Sequence, residues 1–178
     1  MLNAGSPSIK FAVFTADLTE TLAGIAANIA GASFLTIARK TEISPFIDHK
    51  SALSAVITAL KSLGCDIKML KSVAHRMVHG GRKLTASVRI TPEVRSEIYN
   101  RTPLTPLHNP HNLLAIDTLK QITPHMPQVE SFDTCFHATN PDVATRYATQ
   151  LMMEIKGIRR LGFHFLPYAC LVTYPPSI

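Results

Sequence analysis

The stretch DHKSALSAVITALKSLG, Asp48–Gly64, is followed two residues later by a run of the opposite kind, IKMLKSVAHRMVHGG, Ile67–Gly81. In the first, Leu53, Val56, Ile57, Leu60 and Leu63 share one face of a 3.6-residue period and Gly64 supplies a stop, which predicts a helix. In the second the helical period disappears, and the apolar run predicts a buried strand that ends in a Gly-Gly turn. Upstream, IKFAVFTA (Ile9–Ala16) is β-branched and aromatic and predicts a strand, with two weaker strands near Ala23–Ala30 and Phe34–Arg39. Downstream, TPEVRSEIYN opens a helix with Thr91 as cap and Pro92 in the first turn. Asn109-Pro110 opens another through about Ile122, QVESFDT (Gln128–Thr134) is a short strand, and Asn140-Pro141-Asp142 opens a last helix, with Val143, Tyr147, Leu151 and Ile155 four apart, ending at Gly157. Strands first and then helix alternating with strand imply an α/β fold around a sheet of mixed direction, with active groups at strand ends.

The 178 residues suit one domain, and 46% apolar against 17% charged residues is globular composition. The formal charge of +6 comes from scattered Lys and Arg, in runs no longer than pairs such as Arg39-Lys40 and Arg159-Arg160. Without a basic stripe and interleaved aromatics, nucleic acid is not the expected partner; small anions are. Cys65, Cys135 and Cys170 are odd in number and far apart, which argues against a disulfide framework and for a reducing, cytoplasmic setting. MLNAGSPSIK has no charged n-region before an apolar core. The run Leu22–Lys40 is interrupted by Asn28, Ser33 and Thr36 and reads as strand, turn, strand, not as a membrane span.

Five polar clusters punctuate these elements. NAGSPSIK (Asn3–Lys10) is a small-residue turn into a strand, where N–H groups and the Ser6 and Ser8 hydroxyls can approach a phosphate. AHRMVHGG (Ala74–Gly81) carries Arg76, whose guanidinium suits carboxylate and phosphate alike. His75 and His79, on a strand and turn with no accompanying Glu, make a poor zinc pair. PLTPLHNPHN (Pro103–Asn112) puts His108 just before a helix N-terminus, where anions bind, although Asn109 as a simple cap explains the segment equally well. FDTCFH (Phe132–His137) puts Asp133 at a strand end, able to hold a proton, a metal or merely a turn. GIRRLGFH gathers Arg159, Arg160 and His164.

Taken together and in this order, NAGSPSIK, HRMVHGG, PLTPLHNPHNLLAI, FDTCFH and GIRRLGFH resemble the acetate kinase family, acyl kinases that include propionate and butyrate kinases. The resemblance implies a ribonuclease-H-like domain, as in sugar kinases, heat-shock ATPases and actin, and reversible transfer of the ATP γ-phosphoryl to a short-chain carboxylate. By that resemblance Asn3 would lie near Mg²⁺ (or Mn²⁺) and the phosphates, and Ser6, Ser8 and Lys10 would face the nucleotide. Arg76 would grip the carboxylate and the moving phosphoryl, and Asp133 would be the essential acid. His108 and His164 would surround the phosphoryl group, and Val78, Leu107 and Phe163 would line the acyl pocket. Members are homodimers more than twice this length, with most of the nucleotide site in their second half.

The sequence departs from the family in three places. Pro7 replaces a serine in the phosphate turn, Glu130 stands at an apolar strand position, and Phe165 follows GFH where the family continues Gly-Thr-Ser-His. The front also lacks room for a full first strand before Asn3. The expectation is an incomplete family domain over 1–164, a frameshift-like tail over 165–178, no nucleotide domain, and a chain that makes no acyl phosphate alone. The contrasting expectation is a non-catalytic anion-binding or dimerising module.

Overall fold

The computed structural model describes residues 1–147, 158 and 160. The first five elements are strands: β1 (Leu2–Ala4), β2 (Ser8–Phe14), β3 (Glu20–Ala27), β4 (Phe34–Ile37) and β5 (Lys40–Ile43). Then α1 (His49–Ser62), β6 (Val73–Met77), β7 (Val88–Arg89), α2 (Pro92–Asn100), α3 (Asn109–Ile122), β8 (Gln128–Phe132) and α4 (Asp142–Thr145) follow. One eight-stranded sheet runs β5-β4-β3-β2-β1-β6-β8-β7. β1, β6 and β8 are mutually parallel at its centre, and the strands outside them pair antiparallel, so the sheet is mixed as expected.

Alternation gives this sheet two unlike faces. Leu2, Ala4, Ile9, Phe11, Ala26, Leu35 and Val73 point to one face and are buried together with Leu53, Val56 and Leu60 of α1 and Ala115 and Leu119 of α3. Met77 and Phe132 continue that face into a second cluster with Ile98 of α2 and Leu113 and Ile116 of α3. The opposite face carries Asn3, Lys10, Arg76 and Ser131, all at least partly exposed. Gly24 lies under the Phe11 ring, and a Cβ there would collide with that ring and with the Thr36 carbonyl of β4. Gly24→Ala is therefore expected to cost about 2 kcal/mol, read as a lower urea midpoint at unchanged slope.

α1 starts in a capping box between Asp48 and Ser51, and α2 starts at the Thr91 cap and Pro92. Gly81 ends the Gly-Gly turn with φ 69°, a conformation glycine adopts without penalty. Some expectations need correction. Asn3 lies in a short paired strand, β1, and the turn of the first cluster is only the Ser6-Pro7 loop between Gly5 and Ser8. Ile67–Met69 is a 3-10 turn, capped by Asp66, and the strand begins only at Val73. β1, β5 and β7 have no counterpart in the sequence reading. The last expected helix leaves helical geometry at Arg146 (φ −77°, ψ 148°), where the Thr145 carbonyl accepts from the backbone N–H of Arg160 at 2.7 Å. Its later positions, and the 164/165 boundary, lie outside the described residues. Among the described residues no helix is long and apolar enough to cross a membrane, and the Leu22–Lys40 run is β3, turn and β4.

Candidate active site

The C-terminal ends of β1, β6 and β8 bring three of the five clusters together. Parallel pairing sets Leu2 beside His75, which puts Asn3 next to Arg76, and sets Arg76 beside Ser131. The backbone N–H of Asp133 donates to the Met77 carbonyl at 2.8 Å, so Asp133 extends that pairing one residue past β8. Its carboxylate, 1% exposed, accepts a two-pronged grip from Arg76, with Nε to Oδ1 at 3.0 Å and Nη2 to Oδ2 at 2.5 Å. Arg76 Nη1 reaches Asn3 Oδ1 at 3.4 Å. A guanidinium has five N–H donors, so Arg76 keeps hydrogens for a further anion while Asp133 fixes its plane.

Above this fork opens a cavity of about 420 Å³ lined by Arg76, Val78, Leu107, His108 and Asp133, with Leu104, Thr105 and Pro106 completing the wall. Five of the expected site residues thus share one pocket, with an arginine–aspartate pair at its base and apolar side chains along its side. Leu107 is 66% exposed, so the apolar side is open. His108 is the N-cap residue of α3, yet its side chain caps nothing, which leaves the imidazole at the positive end of the helix beside the pocket. Asn109 is not the cap: it is fully buried, with both amide atoms unpartnered.

Lys10 pairs with Asn3 across the β1–β2 ladder, which extends the polar row on the open face to Lys10, Asn3 and Arg76. Ser6 and Ser8 sit at the hairpin end of that row. The hairpin is held from behind by His49, whose Nε2 donates to the Gly5 carbonyl at 2.7 Å and whose ring stacks on His111 at 3.8 Å. Burial, and then the neighbouring His49 and His108, push the His111 pKa down. The stack ties the hairpin to α3, the helix that carries His108. Nothing in the spacing of His49 and His111 announces it, because they come from helices 62 positions apart.

His75 and His79 do not converge as ligands. His75 turns to the buried face and bonds Gln128 Oε1 at 2.7 Å, while His79 accepts from the Gly81 N–H at 2.9 Å. Arg160 lies over the Tyr147 ring. Arg159, Phe163 and His164 lie outside the described residues. For a divalent cation, these residues offer the Asn3 amide oxygen and the Asp133 carboxylate, both already engaged by Arg76, and among the described residues no set of three acidic, His or Cys side chains surrounds a metal position. The described residues alone do not fit such an ion.

A family model described as the acetokinase family matches residues 1–173. The chain is 38% identical over 176 residues to the acetate kinase of Deinococcus radiodurans, covering 95% of this chain and 44% of that protein. To the acetate kinase of Bacillus subtilis it is 37% identical over 172 residues, covering 92% and 44%. Among solved structures, the acetate kinase of Porphyromonas gingivalis superposes with a TM-score of 0.84 at 31% identity, over 97% of this chain and 48% of that one. A propionate kinase from Francisella tularensis gives 0.84 at 28% identity, over 99% and 49%. The chain therefore spans a little less than half the length of these relatives, and its mixed sheet with flanking helices is the fold of their N-terminal part.

Proposed function

The chain belongs to the acetokinase family, and on that footing we propose that its pocket is the carboxylate site of an acetate kinase, which passes the ATP γ-phosphoryl to acetate and yields acetyl phosphate and ADP. The observation that carries this reading is the Arg76–Asp133 fork at the floor of a half-apolar pocket. A carboxylate is already a nucleophile, so its attack on phosphorus needs no general base. What it needs is orientation, and cationic donors directed at the phosphoryl oxygens, over which negative charge is spread in a loose transition state.

Each residue has work of that kind. The free Arg76 hydrogens meet the substrate carboxylate and the moving phosphoryl group. Asp133 holds the guanidinium in register and takes no proton itself. His108, at the start of α3, donates to a phosphoryl oxygen, and Val78 and Leu107 receive the methyl group. Ser6, Ser8 and Lys10 extend the row toward the nucleotide phosphates. Phe163 and His164 belong to the same site by motif, and Asn3 by motif is its metal-side residue, with Mg²⁺ or Mn²⁺ arriving on the nucleotide. Propionate is the nearest alternative acceptor.

Titration calorimetry of the purified chain with acetyl phosphate tests the reading. Saturable binding is expected, weakened about tenfold in His108→Ala by loss of one charge-assisted hydrogen bond. Binding indifferent to His108 would remove this pocket from the account. A hydroxylamine trap with ATP, Mg²⁺ and acetate then separates turnover by this chain from a module that binds the anion without transferring it.

A further inference from the structure

At the other end of the parallel strands lies a cavity that the pocket at Arg76 does not use. It has a volume of about 470 Å³ and lies between the β7–α2 connection and the α3–β8 connection. Small-molecule sites commonly fall between about 300 and 1,000 Å³. Its charged lining is Arg89, Arg95, Lys120 and a single acid, Asp117, with the His125 imidazole beside them. Arg95 consumes that acid in a two-pronged bridge, Nε to Oδ1 at 2.7 Å and Nη2 to Oδ2 at 2.6 Å. Among the described residues the side chains of Arg89 and His125 engage no partner, and Lys120 gives its ammonium only to the Pro124 carbonyl. The rim is thus left with uncompensated positive charge. Between these cations the wall is apolar, formed by Ile90, Ile116 and Met126, and the buried Gln128 closes it.

We propose that this cavity is a second ligand site, for a small organic carboxylate with an apolar body, its anionic end against Arg89 and Lys120 and its body against Met126 and Ile90. The charge balance favours an anion. The apolar wall favours one with a hydrocarbon part over bare phosphate, since taking that part out of water adds to binding. The site is independent of the assignment of the Arg76 pocket.

The probe is hexanoate, followed by methyl resonances of the chain labelled at Met and Ile. Met126, Ile90 and Ile116 report this cavity, while Met77, fully buried in the core, reports the fold. Hexanoate is expected to shift the Met126 methyl saturably, and hexanol and inorganic phosphate at the same concentration to leave it in place. The double substitution Arg89→Ala with Lys120→Ala should raise the midpoint at least tenfold with the Met77 methyl still at its native position. If that variant loses the native spectrum, salt replaces it: the midpoint should rise several-fold when ionic strength shortens the screening length from about 10 to about 3 Å. No saturable shift at Met126, an unchanged midpoint in a folded double variant, or a salt-indifferent midpoint overturns the proposal.

Discussion

Arg76→Ala is expected to destabilise the fold by about 3–5 kcal/mol, far more than truncation of an exposed arginine, and to abolish acetyl phosphate binding with it. The cause is asymmetric burial. Arg76 retains 26% exposure of its side chain, but Asp133 has only 1%, and both its oxygens rest on the guanidinium. Removing Arg76 leaves a buried carboxylate with neither solvent nor counter-charge, the costly half of a broken pair. Asp133→Asn should cost less, because an amide carries no charge to strand and its oxygen still accepts from Arg76. Arg76→Lys keeps the charge but not the planar fork, and should fall between the two. Urea midpoints for the three variants should therefore rank Arg76→Ala lowest and Asp133→Asn highest. Equal midpoints would mean that the pair positions the site without holding the fold.

That pair also marks how far the sequence could be read. Local chemistry points to Arg76 and Asp133 separately, one after an apolar run and one at a strand end. Their contact depends on β6 and β8 lying side by side and in parallel, and no local pattern encodes that pairing across 57 positions. Only the order of the five segments, through the family they resemble, brought them together beforehand. The helices were legible because their punctuation is chemical: Thr91 and Pro92 at α2, the apolar stripe and Gly64 at α1. The missed strands fail for identifiable reasons. β1 and β7, with three and two residues, are too short to show alternation. β5 returns from β4 through Ala38 and Arg39, both at positive φ, a two-residue hairpin turn that usually advertises itself with Asn-Gly or Asp-Gly. Here neither residue signals it. β5 itself, with every residue exposed, has no buried face to impose a period.

Glu130 shows what an apolar position costs when an acid occupies it. The strand QVESF is otherwise fit for a buried edge of the core, and the structure buries Glu130 completely on the helix-covered face, with both carboxyl oxygens unpartnered. It lies in the ladder between His75 of β6 and Val88 of β7. Burial pushes its pKa up to about 8, so the folded chain holds it protonated at neutral pH while the unfolded chain does not. A raised folded pKa means stability that is complete below the unfolded value near 4.5 and lost as pH rises to about 8. His75 works in the opposite direction. Burial lowers its pKa to about 4 from 6.5, so its contribution is complete above 6.5 and is lost as pH falls to about 4. Between pH 4.5 and 6.5 the two slopes oppose, and His79 and His111, both lowered by burial, act on the side of His75. From about 6.5 to 8 the imidazoles drop out and Glu130 lowers stability by about 1.4 kcal/mol per pH unit, one proton released per unfolding event, opposed in part by the Met1 amine, whose pKa burial holds below its usual value. Glu130→Gln removes that limb while keeping size and polarity. The variant should therefore match the parent near pH 4, draw away from it as pH rises, and exceed it by a few kcal/mol at pH 8. Glu130→Met, which also removes the unpartnered polar atoms, should be more stable still, by about 1–3 kcal/mol. Urea denaturation of the three proteins at half-unit steps from pH 4 to 8 reads all of this. Parallel curves for the parent and Glu130→Gln would mean that Glu130 finds a partner or solvent in solution, and that the acid at this strand position is harmless to the fold.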